Sequence, residues 1–270
     1  MAKTKLIELK KIIKTYGRTV VAYSGGSDST FLLKICADVL GTERVIAATG
    51  SSETYTPGEL SFARRIARDL RVRHVIIETD ELHDELFSSN TKLRCYHCKS
   101  NFYSKLASFA RSEHIDFVLD GTNIDDKKDY RPGMKAAREW GVKSPLAQAG
   151  MTKGDIRRYS KKMGLISWDK PASPCLASRI PYGSRITKEK LSMIAEAEEF
   201  IRGMGFKTIR VRHHDSTARI EIPLRDLPRI IRKDMREKIG DRLKRIGFCW
   251  VSLDIEGFKS GSLNRALDRG

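Results

Sequence analysis

The chain has 270 residues, 40% of them hydrophobic, and 51 Lys and Arg stand against 34 Asp and Glu for a net charge of +17. That length holds one large domain or two ordinary ones. No apolar run approaches the ~20 residues of a membrane span, so a membrane partner is not expected and the protein reads as globular and cytoplasmic. The positive field favours an anionic partner such as a phosphate, a nucleotide or nucleic acid. A basic composition serves solubility equally well, because net charge does not say where the charge sits.

In chain order, residues 1–17 predict an amphipathic helix with Leu6, Leu9 and Ile13 on one side. RTVVAY reads as a buried strand, DSTFLLKICADVL as a helix and RVIAATG as a strand. PGELSFARRIARDL reads as a helix with Pro57 suited to its first turn, and VRHVIIETD as a third strand. After a polar interval, KSNFYSKLASFARSEH is helical and DFVLDGTN is a fourth strand; KAAREW and TKGDIRRYSKKMG are further helices. Strands alternating with helices imply a doubly wound parallel sheet, an α/β domain over residues 1–165. Residues 166–184 hold Pro171, Pro174, Pro181 and Gly183 without periodicity and read as a linker that carries Cys175. Residues 185–270 form a smaller α+β domain. Its parts are the helix TKEKLSMIAEAEEFIRGMG, the strands KTIRVRHHD and TARIEIP, one basic helical stretch from Arg225 to Gly247, and a last strand, FCWVSLDIEG.

Between the first strand and its helix lies Ser24-Gly25-Gly26-Ser27-Asp28-Ser29. In a parallel sheet, ligands sit at the carboxyl ends of strands. Two glycines let backbone N–H groups approach an anion, the hydroxyls donate, and the helix start adds partial positive charge. The stretch is suited to phosphate. It is not a Walker A loop, because no Lys-Ser or Lys-Thr follows the second glycine. It resembles the SGGxDS loop of the ATP pyrophosphatases, which implies cleavage of ATP between the α and β phosphates and attachment of AMP to an oxygen. The bland reading is a serine-rich helix cap. Two more stretches end neighbouring strands: Thr49 to Glu59, where adenine recognition is expected, and Asp120 to Gly133, with Asp125, Asp126 and Asp129. Carboxylates facing a triphosphate require Mg²⁺ between them, since like charges otherwise repel.

The cysteine count is five, odd, and does not suggest a disulfide framework. Cys36 and Cys249 sit in apolar runs and predict buried, inert thiols. Cys95, Cys98 and Cys175 sit in polar, loop-like contexts. RCYHCK has a chelating spacing used for zinc, for iron–sulfur centres and for redox dithiols. His83 or His97 could complete a zinc site, and three thiolates with an open fourth position suit a reactive 4Fe-4S cluster. On spacing alone the two rank equally, ahead of unrelated surface thiols.

RCYHCK, DGTNIDDKKDYRPGMKAAREWGVKSPL, PCLASRIPYG and EGFKSGSLN together resemble the LarE family, over essentially the whole chain. The resemblance implies an ATP-dependent sulfur transferase that converts the carboxylates of pyridinium-3,5-biscarboxylic acid mononucleotide to thiocarboxylates through acyl-adenylates. The product feeds the nickel-pincer nucleotide cofactor of lactate racemase. One form of the family sacrifices the sulfur of the cysteine in the CLASR segment. The other holds a 4Fe-4S cluster on three cysteines, and the presence here of Cys95, Cys98 and Cys175 selects that form.

By the same resemblance Ser24, Gly25, Gly26, Ser27, Asp28 and Ser29 hold the ATP phosphates, and Thr49, Gly121 and Asp125 join the nucleotide site. Mg²⁺ bridges phosphate to Asp28 or Asp125, and Asp28 and Cys175 take catalytic parts. Arg210 and Arg212, two apart on a strand, share a face and suit a phosphate; the bland reading is a solvated strand face. The family places phosphate-binding arginines on this strand. Lys259 stands where a third basic contact is expected, and Glu199 and Asp226 resemble the family's acidic residues at that site. The adjacent His213 and His214 face opposite ways and do not chelate one ion. Partners implied are the nucleotide substrate and a sulfur donor protein or free sulfide. Nucleic acid is not expected, and a hexamer is implied by the family. The competing readings are a tRNA thiolation enzyme of the same superfamily, sacrificial transfer from Cys175, and a nucleotide- or RNA-binding module without turnover.

Overall fold

The computed structural model describes residues 2–55, 57–128, 132–171, 175–259 and 262–263. Asp129 and Pro174 lie outside these. The chain forms two compact units, Met1–Phe87 with Leu93–Ser173, and Ser88–Lys92 with Pro174–Gly270.

The first unit runs α1 (Ala2–Lys14), β1 (Thr19–Ala22), α2 (Ser27–Leu40), β2 (Val45–Ser51), α3 (Pro57–Asp69) and β3 (Arg73–Glu78). It continues with α4 (Glu85–Ser88), α5 (Arg94–Ser112), β4 (Phe117–Asp120), α6 (Gly133–Glu139), α7 (Pro145–Gln148) and α8 (Lys153–Lys162). The four strands form one sheet in the order β3-β2-β1-β4, parallel throughout. Alternation along the strands divides the core in two. Val21, Ala47 and Leu119 pack with Leu9 and Ile13 of α1, Phe31 and Leu32 of α2, and Ala63 of α3. Val20, Ile46 and Ala48 pack with Phe102 and Leu106 of α5 and Ala136 of α6. Burial on both faces explains why β1 and β2 read as unbroken apolar runs. β2 lies on one side of β1 and β4 on the other, so the chain reverses its winding beside β1, where ligands collect in such sheets.

The second unit holds α9 (Lys188–Gly203), β5 (Arg210–His214), β6 (Thr217–Glu221), α10 (Leu227–Ile230), α11 (Lys233–Ile246) and β7 (Trp250–Leu253). β5 and β6 are antiparallel, β6 and β7 parallel, around a core of Ile201, Phe206, Val211, Ile220 and Leu243.

Three sequence expectations change. The basic stretch after Arg225 is two helices: Pro228 fits the first turn of α10, and Arg232 adopts extended backbone before α11. Cys95 and Cys98 lie in the opening turns of α5 instead of a loop. Cys249 is exposed, as is the neighbouring Trp250 at 69%, because they lead into β7 at the edge of its sheet, a position that an apolar run does not reveal.

Phe31 is fully buried beneath the turn that opens α2 and stacks on Tyr159 at 6.3 Å. Phe31→Ala should destabilise the protein by about 3–5 kcal/mol, read as a lowered urea midpoint at unchanged slope.

Candidate active site

The loop after β1 is folded on itself. The Ser24 N–H donates to Ser29 Oγ at 3.2 Å, the Gly26 N–H donates to Ser24 Oγ at 3.3 Å, and Ser29 Oγ donates to the Gly26 carbonyl at 3.3 Å. Gly26 caps α2 without a side-chain hydrogen bond, so the first N–H groups of this fourteen-residue helix have no intrahelical partner and suit an anion. Gly25 has φ +69°, and a Cβ there would lie 3.0 Å from Ala63 Cβ on α3. A Cβ on Gly121, after β4, would meet Ser29 N at 2.9 Å and Ser29 Cα at 3.1 Å. Glycine at 121 is what lets the fourth strand's exit pass against the first turn of α2.

Asp28 reaches toward that exit. Its Oδ2 accepts from Asn123 Nδ2 at 3.1 Å and its Oδ1 from Ser27 Oγ at 3.2 Å. Burial, then the charge of Asp126, pushes the Asp28 carboxyl above its usual range. Asn123, fully buried, also accepts the N–H groups of Asp125 and Asp126 on its Oδ1. Asp126 is met by Lys153 Nζ at 3.0 Å, and Asp125 Oδ2 accepts the Lys153 N–H at the start of α8. Two crowded carboxylates, one destabilised by the other, fit a divalent cation of the Mg²⁺ kind, which takes one or two carboxylates and completes its shell with phosphate oxygens and water. Among the described residues no group of three or more His, Cys, Asp or Glu is placed to hold a metal. Thr49 is buried within β2, its hydroxyl donating to the Tyr23 carbonyl at 2.7 Å and meeting His74 Nε2 at 2.8 Å.

Cys95 is exposed and Cys98 half-buried. Three apart on α5, they share a face. The Cys98 thiol donates to Glu81 Oε1 at 3.4 Å, and Thr79 Oγ1 donates to the same oxygen at 3.0 Å. Glu81 is only 4% exposed, and its Oε2 has no hydrogen-bond partner among the described residues. Ser24, Gly50, Glu81, Cys98 and Lys99 line one cavity, so a cysteine of the CxxC pair and the first residue of the loop after β1 open onto the same space.

In the second unit Cys175 is exposed and precedes a 3-10 turn, Leu176–Arg179. Arg179 is buried and grips Glu198 with two bonds, Nε to Oε1 at 2.8 Å and Nη2 to Oε2 at 3.0 Å. Its Nη1 donates to the Cys175 carbonyl at 3.1 Å. Asn90 donates to the carbonyls of Pro181 and Ser184 at 2.7 and 2.8 Å. The thiol therefore projects from a turn pinned on both sides. Arg212 pairs with Glu221 through Nε at 2.9 Å and Nη2 at 2.8 Å, donates to the Ser178 carbonyl through Nη1 at 2.6 Å, and meets Ser262 Oγ at 2.8 Å. Arg219 also meets Glu221 at 3.1 Å. Arg210 lies over the Phe258 ring. Burial, then the charge of Arg179, draws its guanidinium down to about 10. Arg202 adds a further positive charge beside Glu198.

Period two did place Arg210 and Arg212 on one face, and that face is buried rather than solvated. On α9 it is Glu198, not Glu199, that turns inward: Glu199 is exposed, one residue and about 100° around the helix. Asp226 is half-buried at the start of α10. Lys259 is exposed and paired with Glu256 at 3.1 Å. Sequence reasoning missed Glu81, Asn123, Arg179, Glu198 and Glu221. Asn123 and Arg179 stood inside motif stretches already quoted, and Glu198 and Glu221 inside predicted elements; no motif marks Glu81, Glu198 or Glu221, because Cys98, Arg179 and Arg212, which they meet, lie on other elements.

No family model matches the sequence. The chain is 39% identical over 269 residues to an uncharacterized protein of Synechocystis, covering all of both. It is 37% identical over 266 residues to the pyridinium-3,5-bisthiocarboxylic acid mononucleotide synthase of Lactiplantibacillus plantarum, covering 98% of this chain and 96% of that protein. A glutamine-hydrolyzing GMP synthase component of Sulfurisphaera tokodaii is 23% identical over 202 residues, 69% of this chain and 54% of that protein.

Gly121→Ala should displace the first turn of α2 and abolish ATP binding by calorimetry while the melting curve stays cooperative. Asp28 has a folded-state carboxyl raised above its unfolded value. Its charge therefore costs no stability at acidic pH, where both states are protonated, and costs most above the raised value. Asp28→Asn should raise the melting temperature of metal-free protein at pH 8, with the gain vanishing toward pH 4, and should remove metal-dependent turnover at both.

Proposed function

The chain belongs to the LarE family, and on that premise we propose that it is an ATP-dependent sulfur transferase. It converts carboxylates of pyridinium-3,5-biscarboxylic acid mononucleotide to thiocarboxylates in nickel-pincer nucleotide biosynthesis. The observation that carries the reading is the open start of α2, with its bare N–H groups, set beside the Asp28–Asn123–Asp126 group.

The N–H groups at the start of α2 hold the phosphates of ATP and stabilise the charge that gathers on the departing pyrophosphate. A substrate carboxylate oxygen attacks the α-phosphorus; the bond to the bridging oxygen breaks, and pyrophosphate leaves with the electron pair. A sulfur nucleophile then attacks the acyl carbon and AMP departs, leaving a thiocarboxylate. Asp28, with Asp126 as the second carboxylate beside it, would hold Mg²⁺, whose part is to neutralise the phosphates. Asn123 fixes the orientation of the Asp28 carboxylate by its amide.

Cys95, Cys98 and Cys175 are the proposed ligands of a 4Fe-4S cluster. What supports the reading is that Cys95 and Cys98 stand one turn apart on α5 and that Cys95 and Cys175 are exposed thiols. Such a cluster supplies iron that keeps a transferable sulfide deprotonated at neutral pH. The excess of buried arginines over Glu198 and Glu221 supports an anionic group of the substrate, its phosphate, in the second unit.

The test is turnover of the synthetic biscarboxylic acid mononucleotide with ATP, Mg²⁺ and sulfide, with AMP, pyrophosphate and product mass read together. Absence of AMP would overturn the reading. Anaerobically purified protein should carry iron and acid-labile sulfide at about four each per chain; zinc, or loss of H₂S mass from Cys175 after one turnover, would overturn the cluster. Salt-sensitive tRNA binding with a steep slope would favour tRNA thiolation instead.

Arg210→Met removes a cation that its neighbours repel. It should raise the melting temperature while raising the substrate KM about tenfold or more, with the KM for ATP unchanged.

A further inference from the structure

The loop from Ser24 to Ser29 contains one aspartate and neither lysine nor arginine. A helix start contributes only about half a positive charge, and Asp28 works against an anion. A polyphosphate held there alone would lack a full countercharge from the protein.

Lys170, in the same unit, supplies one at the right place. Its ammonium donates to the carbonyl of Gly25 at 3.3 Å, so it sits on the loop's own backbone. It lies over the ring of Phe62 on α3 at 4.2 Å, which fixes its approach. Among the described residues Lys170 forms no ion pair; its contacts are a neutral carbonyl and a ring face. Burial lowers its affinity for the proton, opposed by the nearby charge of Glu59, so the site gains from any anion brought beside it. Of the other described lysines near the loop, Lys153 already faces Asp126 at 3.0 Å, and Lys99, which shares a cavity with Ser24, lies over the rings of Phe102 and Tyr103 at 5.5 and 5.7 Å.

We infer that Lys170 binds the β- and γ-phosphates of ATP, and then the pyrophosphate product, from the side of Gly25 and Phe62. The inference rests on the ATP-dependent reading above and goes beyond it by naming the cation that the loop lacks. The ammonium is a compact charge on a flexible stem with three donors, so it can keep the Gly25 carbonyl and turn another proton toward phosphate. Held by both the loop and Phe62, it marks where the pyrophosphate half of ATP lies relative to α3.

The experiment is calorimetric titration of wild-type, Lys170→Met and Lys170→Arg protein with ATP, with pyrophosphate and with AMP. Lys170→Met should weaken ATP and pyrophosphate by at least about tenfold and AMP by less than about twofold, while Lys170→Arg retains most of the affinity. Unchanged pyrophosphate affinity in Lys170→Met would overturn the inference, and so would an equal loss for AMP. A Lys170→Arg protein that melts normally yet binds pyrophosphate as weakly as Lys170→Met would overturn it too. Wild-type protein that binds no ATP would overturn both this inference and the proposed function. Wild-type protein that binds ATP but makes no thiocarboxylate would overturn the sulfur-transfer reading alone, and the affinity ratios would still decide Lys170.

Discussion

The contact between Gly121 and the first turn of α2 sets the geometry of the candidate site in the first unit. β1 has β2 on one side and β4 on the other, and both faces of the sheet are covered. The chain leaving β1 must therefore turn within a few residues into α2, while the chain leaving β4 passes the same point. The space left at Gly121 admits no Cβ, since one would come within 2.9 Å of Ser29 N. The close passage brings Asn123 to Asp28 and fixes the carboxylates of the following turn against the helix start. Fold and site are one packing solution here.

The same passage carries a cost in stability. Asp28 is buried near Asp126, and its charged form is unfavourable in the folded protein. A carboxylate destabilised by its neighbour is relieved by any cation brought beside it, and strain of this kind concentrates where ligands act. The cavity shared by Ser24, Glu81 and Cys98 extends the argument to sulfur, because a thiol opens onto the space beside the anion loop.

The second unit solves a different electrostatic problem. The hairpin register sets Arg210 opposite Glu221 and Arg212 opposite Arg219, so at the second of these pairs two arginines face each other across the strands. Glu221 lies between them and takes bonds from both Arg212 and Arg219. Arg179 and Glu198 form a matching pair that also restrains the turn bearing Cys175. Buried pairs of this kind contribute little net stability but are costly to break, which suits a scaffold whose main task is to fix positions.

The α/β pattern, the glycine-and-hydroxyl loop after β1 and the candidate reactive cysteines were all written in local sequence. Strand and helix periods, two glycines among hydroxyls, and a CxxC each reside within a few consecutive residues. The period of two also placed Arg210 and Arg212 on one face. Whether that face met water or carboxylate was decided by packing: Glu221 comes from the partner strand, and Glu198 from a helix whose inward side is set by the core of Ile201 and Phe206. Likewise Glu81 and Lys170 have no motif of their own. Their contacts arise because Cys98 and Gly25, on other elements, are brought within bonding distance. Local propensity determines which elements form, and only their mutual burial determines which polar groups must find one another.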